Sequence, residues 1–111
     1  MRIRFIYRDR PIELATVNLC HYGNYGDYEL FPSEELDLDL QILAAMLIER
    51  GYEVKGQSPK AMLVRDNQAM LTLFPTGRMI IEHVKPSTYD EASCIGCRML
   101  EIAGASFECM A

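Results

Sequence analysis

Apolar and polar residues alternate along the first twenty positions of the chain. Between residues 2 and 8 the apolar positions are Ile3, Phe5 and Tyr7, with arginines at positions 2, 4 and 8. Between residues 12 and 19 the same spacing places residues 12, 14 and 16 on one side and residues 15, 17 and 19 on the other. A period of two is typical of strands. The pattern predicts two strands, separated by the Asp9-Arg10-Pro11 break.

Two later segments change to the three-to-four-residue spacing of amphipathic helices. The first follows a cap at Asp37 or Asp39 and has Arg50 in its last turn, with Gly51 after it, and the second runs from a Ser87 cap to about residue 103, with Gly104 after it. Between the helices, apolar runs and turn residues predict strands over residues 52–55, 60–65, 69–74 and 78–84.

Residues 20–35 continue neither pattern. This segment contains Gly23, Gly26 and Pro32 together with three tyrosines and several acids, and we predict an insertion loop there. We also predict a short tail over residues 105–111. The element order predicts one α+β domain over residues 1–111, with an antiparallel sheet of about five to six strands and two helices packed on one face.

The composition and charge of the chain limit the classes of protein to which we expect it to belong. The chain has 111 residues, of which 50% are hydrophobic and 24% charged, as in ordinary globular proteins. It has no apolar run near the roughly 20 residues of a membrane span and no secretory leader pattern, so we expect a soluble, cytoplasmic protein without membrane contacts. The net charge of −5 predicts weak non-specific attraction to nucleic acid. Arg2, Arg4 and Arg8 form a candidate basic patch, although arginines also protect sheet edges from aggregation.

Three stretches resemble a repeat of the TATA-box-binding-protein family. They are ATVNL at 15–19, LDL at 38–40 and LTLFPTGRMII at 71–81, in the family's order and, from residue 38 to residue 74, with its spacing. The resemblance covers about residues 12–104, with 20–35 as an insertion. It implies a curved antiparallel sheet, half of a saddle, in the order strand, helix, four strands, helix.

The same resemblance allows each DNA-contacting position of the family to be compared with the matching residue of this sequence. Phe74 matches an intercalating phenylalanine, and Arg78 matches a phosphate-contacting lysine. Ile12 and Gln57 stand where the family has a minor-groove asparagine and a second intercalating phenylalanine. Glu82 places a carboxylate near a polyanion, which is repulsive. The resemblance therefore implies the fold more firmly than it implies DNA binding.

We expect a non-enzymatic interaction module in which an exposed sheet face buries against a protein partner or a second copy. The predicted binding face consists of Leu14, Thr16, Thr72, Phe74, Arg78 and Ile80. An alternative is a nucleic-acid-binding module that uses the same face and the N-terminal arginines. No nucleophile elbow, phosphate loop or paired histidine ligands occur, so we do not expect an enzyme.

A third alternative is a thiol or metal protein that uses Cys94 and Cys97. Their C-x-x-C spacing suits half of a zinc site, an iron–sulfur ligand pair or a redox pair. Helical spacing places Ala92, Ile95 and Met99 against the sheet and directs both cysteines away from it. With Cys20 and Cys109 the chain has four cysteines, and we expect them to be reduced and inert, with no cofactor.

Overall fold

A computed structural model describes residues 2–107, which form one antiparallel sheet and two helices. The elements are β1 (Arg2–Tyr7), β2 (Arg10–Tyr22), β3 (Tyr25–Pro32), α1 (Leu40–Glu49), β4 (Glu53–Gln57), β5 (Met62–Asp66), β6 (Ala69–Leu73), β7 (Met79–Val84), α2 (Tyr89–Ile102) and β8 (Ser106–Phe107). The strands lie in the order β4-β5-β6-β7-β3-β2-β1-β8. The predicted α+β class is confirmed, but the sheet has eight strands among these residues rather than five to six.

A hairpin of β2 and β3 occupies most of the segment that we predicted as a loop. Gly23 and Asn24 form its turn, and Gly23 has a φ of +58°, which suits the tight turns of hairpins. β3 pairs with β2 on one side and with β7 on the other, so it lies inside the sheet. The loop prediction was wrong because the glycines, acids and proline, which disfavour strands in general, received more weight than the alternation within the segment.

The predicted tail also contributes a strand. Ser106 and Phe107 of β8 pair with β1, and the Phe107 ring stacks on Phe5 at a centroid distance of 5.0 Å. This contact closes the core beside the start of the chain. Residues 108–111, which include Cys109, lie outside the described residues.

Side-chain caps fix where both helices begin. The Asp39 carboxylate accepts hydrogen bonds from the backbone N–H groups of Gln41 and Ile42 at 3.0 and 3.2 Å, which confirms one of the two predicted caps of α1. Thr88, rather than the predicted Ser87, caps α2 by accepting from the N–H of Glu91. The serine side chain has other partners, described below. Gly51 and Gly104 follow the two helices with positive φ, as predicted. Neither helix is long and apolar enough to cross a membrane.

The two helices pack on one face of the sheet, and the hydrophobic core lies between the helices and that face. Every second residue of the central strands is buried there, including Leu14, Leu30, Leu71 and Met79. Helix α2 approaches closely at Gly96, where a Cβ would lie 2.3 Å from the Leu30 Cδ2 atom. We call this side the covered face and the opposite side of the sheet the open face.

Candidate functional site

Cross-strand pairing defines which residues share the open face. In register, Val17 lies opposite Glu29, Glu29 opposite Ile80, Ile80 opposite Thr72, and Thr72 opposite Leu63. These five residues form a continuous row across β2, β3, β7, β6 and β5, which we call the open-face row. Because side chains directly opposite one another in antiparallel strands are in contact distance, the row is one continuous surface.

The structure divides the predicted binding face between the two sides of the sheet. Thr72 and Ile80 belong to the open-face row, whereas Leu14 and Thr16 are buried on the covered face. The Thr16 hydroxyl lies 2.9 Å from the Ser93 hydroxyl of α2. In the strand register, Val17 shares a face with Glu29 and Ile80, whereas Thr16 shares the opposite face with Leu30 and Met79.

Large apolar side chains remain accessible on the open face. Val17 is 42% exposed and Phe31 is 39% exposed on adjacent strands, with half-buried Ile80 and Thr72 beyond them. Phe31 lies opposite Ala15 in the β2–β3 register. Glu29 stands between Val17 and Ile80, so the accessible apolar side chains form a surface that also contains the Arg78–Glu29 ion pair. Neighbouring accessible apolar side chains of this kind are typical of an interaction site.

Ion pairs neutralise most of the positive charge on the open face. Arg78 binds the Glu29 carboxylate, and its guanidinium lies 5.1 Å from the centre of the Phe74 ring. At one end of the sheet Glu53 accepts from Lys55 at 3.0 Å and lies 3.6 Å from Arg65. The hydrogen bond and charge of Lys55 lower the pKa of Glu53. Exposed pairs of this kind contribute little to stability, but they leave few unpaired cations for a phosphate backbone.

The three arginines of the candidate basic patch do not form one surface. Arg2 lies 3.6 Å from the Glu13 carboxylate, and Arg4 lies opposite Glu13 in the register of β1 and β2. Arg8 lies in the turn after β1, where its guanidinium reaches the Asp37 carbonyl at 3.4 Å and stacks 5.2 Å from the centre of the Tyr7 ring. Arg8 therefore connects the turn after β1 to the segment before α1.

The two cysteines of the C-x-x-C motif have different surroundings. Cys97 is fully buried, contrary to the prediction that both thiols face away from the sheet, because α2 also buries the side that contains Ser93 and Leu100. Burial raises the pKa of Cys97 to about 12. Cys94 is half-buried and accepts a 3.4 Å contact from Arg98. Within residues 2–107 no group of three potential ligands is arranged to hold a metal ion.

A cluster of aromatic side chains surrounds the end of the β2–β3 hairpin. The Asp27 carboxylate accepts from the Tyr22 hydroxyl at 2.7 Å and from the backbone N–H of His83 at 3.2 Å, at a bulge between β3 and β7. The imidazole contacts the rings of Tyr22 and Tyr25 edge-on, each at 5.8 Å. The hydrogen bond to Asp27 raises the pKa of Tyr22 to about 12. The cluster holds the hairpin against β7.

A second polar cluster on the helix side was missed by sequence reasoning. The Ser87 hydroxyl lies 2.8 Å from the His21 Nδ1 atom and 3.0 Å from the Tyr28 hydroxyl. His21 and Tyr28 belong to the segment predicted as a loop, so their approach to residue 87 was not predicted. The Tyr22-Gly23-Asn24-Tyr25 sequence was the available signal, since Gly-Asn between strand residues favours a hairpin.

The chain was also compared with known proteins. No family model, curated protein or solved structure matches it.

Proposed function

We propose that the chain is a non-enzymatic interaction module whose open face binds a protein surface. The observation that carries this proposal is the open-face row, which leaves Val17 and the adjacent Phe31 accessible in the middle of a wide sheet. Burying such apolar area is the main favourable contribution to most protein association. Aromatic residues near the centre of a surface frequently dominate binding energy.

The order of the elements supports assignment to a repeat like that of the TATA-box-binding protein. β2, α1, the four strands β4–β7 and α2 follow the order that the resemblance implies. The insertion corresponds to the end of β2 and to β3, which lies between β2 and β7. In this proposal the domain is a half-saddle widened, among the described residues, by three strands: β3 inside the sheet, and β1 and β8 at one edge.

Charge on the open face favours a second copy of the chain as the partner. Both signs alternate there: cations at Arg2, Arg4, Lys55, Arg65 and Arg78 lie among carboxylates at Glu13, Glu29, Glu53 and Glu82. A two-fold axis brings the same patch of two copies together, so a mixed patch can match its cations with carboxylates of the other copy. The acidic residues elsewhere would remain away from the interface.

Nucleic acid is the second candidate partner, and Phe74 with Arg78 is the feature that favours it. The aromatic ring and guanidinium lie together at the end of β6 and the start of β7. The Arg78–Glu29 ion pair weighs against this alternative, since phosphate binding would have to displace the carboxylate.

Sedimentation equilibrium of the full chain tests the proposal. We expect reversible self-association that Phe31→Arg weakens by about tenfold or more, as expected for a central aromatic residue. Ile48→Arg is the matched control: Ile48 is 59% exposed on α1, so the same new charge there should leave association unchanged.

A wild-type chain that stays monomeric at all accessible concentrations would exclude the second copy as partner. Salt-sensitive binding of duplex or single-stranded DNA by that monomer, lost in Arg78→Gln, would instead favour the nucleic-acid alternative.

A further inference from the structure

The cluster of Ser87, His21 and Tyr28 lies on the helix side of the sheet, away from the open face. It joins the end of the β2–β3 hairpin to the start of α2, which begins after the Thr88 cap. Beside it is a cavity of about 320 Å³, lined by His21, Gly23, Asn24, Lys85, Pro86, Ser87 and Thr88. A serine, a histidine and a cavity therefore meet at one place.

We propose that Ser87 is a nucleophile activated by His21 and that it accepts an acyl group from a small activated ester. In this step the Ser87 Oγ atom attacks the ester carbonyl carbon, and its proton passes to the Nδ1 atom of His21. The bond to the leaving oxygen then breaks, and that oxygen takes the proton from the imidazole. The products are an acyl-serine and an alcohol, so neither oxidant nor metal is required.

The hydrogen bonds orient the serine for this proton transfer. Tyr28 is 2% exposed, and its hydroxyl, held by the core, lies 3.0 Å from the Ser87 Oγ atom, so it can donate to that oxygen. When Tyr28 donates, the serine proton can point to the His21 Nδ1 atom at 2.8 Å, within the distance that general base catalysis requires. This arrangement corresponds to an imidazole that has its proton on Nε2.

The backbone makes room for the serine at Gly26. A Cβ atom at that position would lie 2.0 Å from the Ser87 Oγ atom, so a glycine is needed for the hydroxyl to sit between His21 and Tyr28. Lys85 lines the same cavity, and its ammonium group lies 5.6 Å from the centre of the Tyr25 ring. The cavity volume is near the lower end of small-molecule sites, which favours short acyl groups.

Reaction with p-nitrophenyl acetate, followed by peptide mass spectrometry, tests this inference. We expect about one equivalent of nitrophenolate per chain and one acetyl group on Ser87. The exposed Ser33 hydroxyl accepts from the Glu13 N–H and has no histidine partner among residues 2–107, so it serves as an internal control that stays unmodified.

His21→Asn is the decisive variant, because its amide oxygen can replace the Nδ1 acceptor but is a far weaker base. We expect it to retain the fold and to slow acetylation of Ser87 by about a hundredfold or more. Ser87→Ala should remove the acetyl group at that position. Acetylation of Ser87 no faster than that of Ser33, or an unchanged rate in His21→Asn, would overturn the proposal. The open-face proposal does not depend on this result.

Discussion

The two faces of the same sheet have opposite chemistry although their residues alternate along the same strands. On the covered face Leu71 and Met79 are completely buried, and Gly96 allows α2 to approach Leu30 closely. On the open face the neighbours Thr72 and Ile80 are half-buried and border ion pairs. The comparison shows that apolar alternation specifies two surfaces, whereas the helices and the strand register decide which of them becomes the core.

Thiol labelling provides the largest expected contrast between buried and accessible positions. Cys97 is fully buried with a pKa raised to about 12, whereas Cys20 is exposed. Relative to a thiol of the usual pKa, this shift lowers the thiolate fraction at pH 8 by about a thousandfold. Because the thiolate is the reactive form and the sulfur is also shielded by burial, iodoacetamide labelling of Cys97 should be much slower. Peptide-resolved mass spectrometry should find Cys97 labelled last in the native chain and at the common rate in denaturant. Equal native rates for Cys94 and Cys97 would contradict the burial of the second thiol.

Truncating two adjacent residues of β6, one on each face, should lower the free energy of unfolding by different amounts. Leu71→Ala removes a completely buried side chain and should lower the free energy of unfolding by about 3 kcal/mol. Thr72→Ala on the open face should change it by less than about 1 kcal/mol. Urea denaturation of both variants measures the difference, and equal losses would mean that both faces are covered in the folded chain.

The smallest expected effect concerns the ion pair of Arg78 and Glu29. Both side chains retain solvent contact, so a double-mutant cycle with Arg78→Gln and Glu29→Gln should give a coupling energy below about 1 kcal/mol. The pair should influence partner choice more than stability, because charge complementarity across an interface contributes more to specificity and association rate than to affinity. A coupling of several kcal/mol would mean that the pair is desolvated and that the open face is not free.

Much of the fold could be predicted from local patterns. The Asp39 cap, the glycines after both helices and the four strands β4–β7 followed from spacing and turn chemistry, with boundaries shifted by a few residues. The strand β3 was missed because Gly26, Asp27 and Glu29 are unfavourable strand residues in isolation. Pairing on both sides offsets those preferences, and pairing is a property of the folded sheet.

The candidate sites were less predictable because they depend on register and on contacts between distant residues. Leu14 and Thr16 were assigned to the same surface as Thr72 and Ile80, but the strand register places the two pairs on opposite faces of the sheet. The burial of Cys97 likewise depends on how wide a side of α2 is covered. These features depend on the tertiary structure, and the amino-acid sequence indicates them only weakly.

Intermolecular nuclear Overhauser effects in an equimolar mixture of ¹³C-labelled and unlabelled chain test the open-face account most directly. We predict contacts from unlabelled chain to the methyl groups of Val17, Ile80 and Leu63 on the open-face row. The methyl groups of Ile42 and Ile48, which are 60% and 59% exposed on α1, should show none. Contacts confined to these helix residues, or no intermolecular contacts at millimolar concentration, would contradict the account.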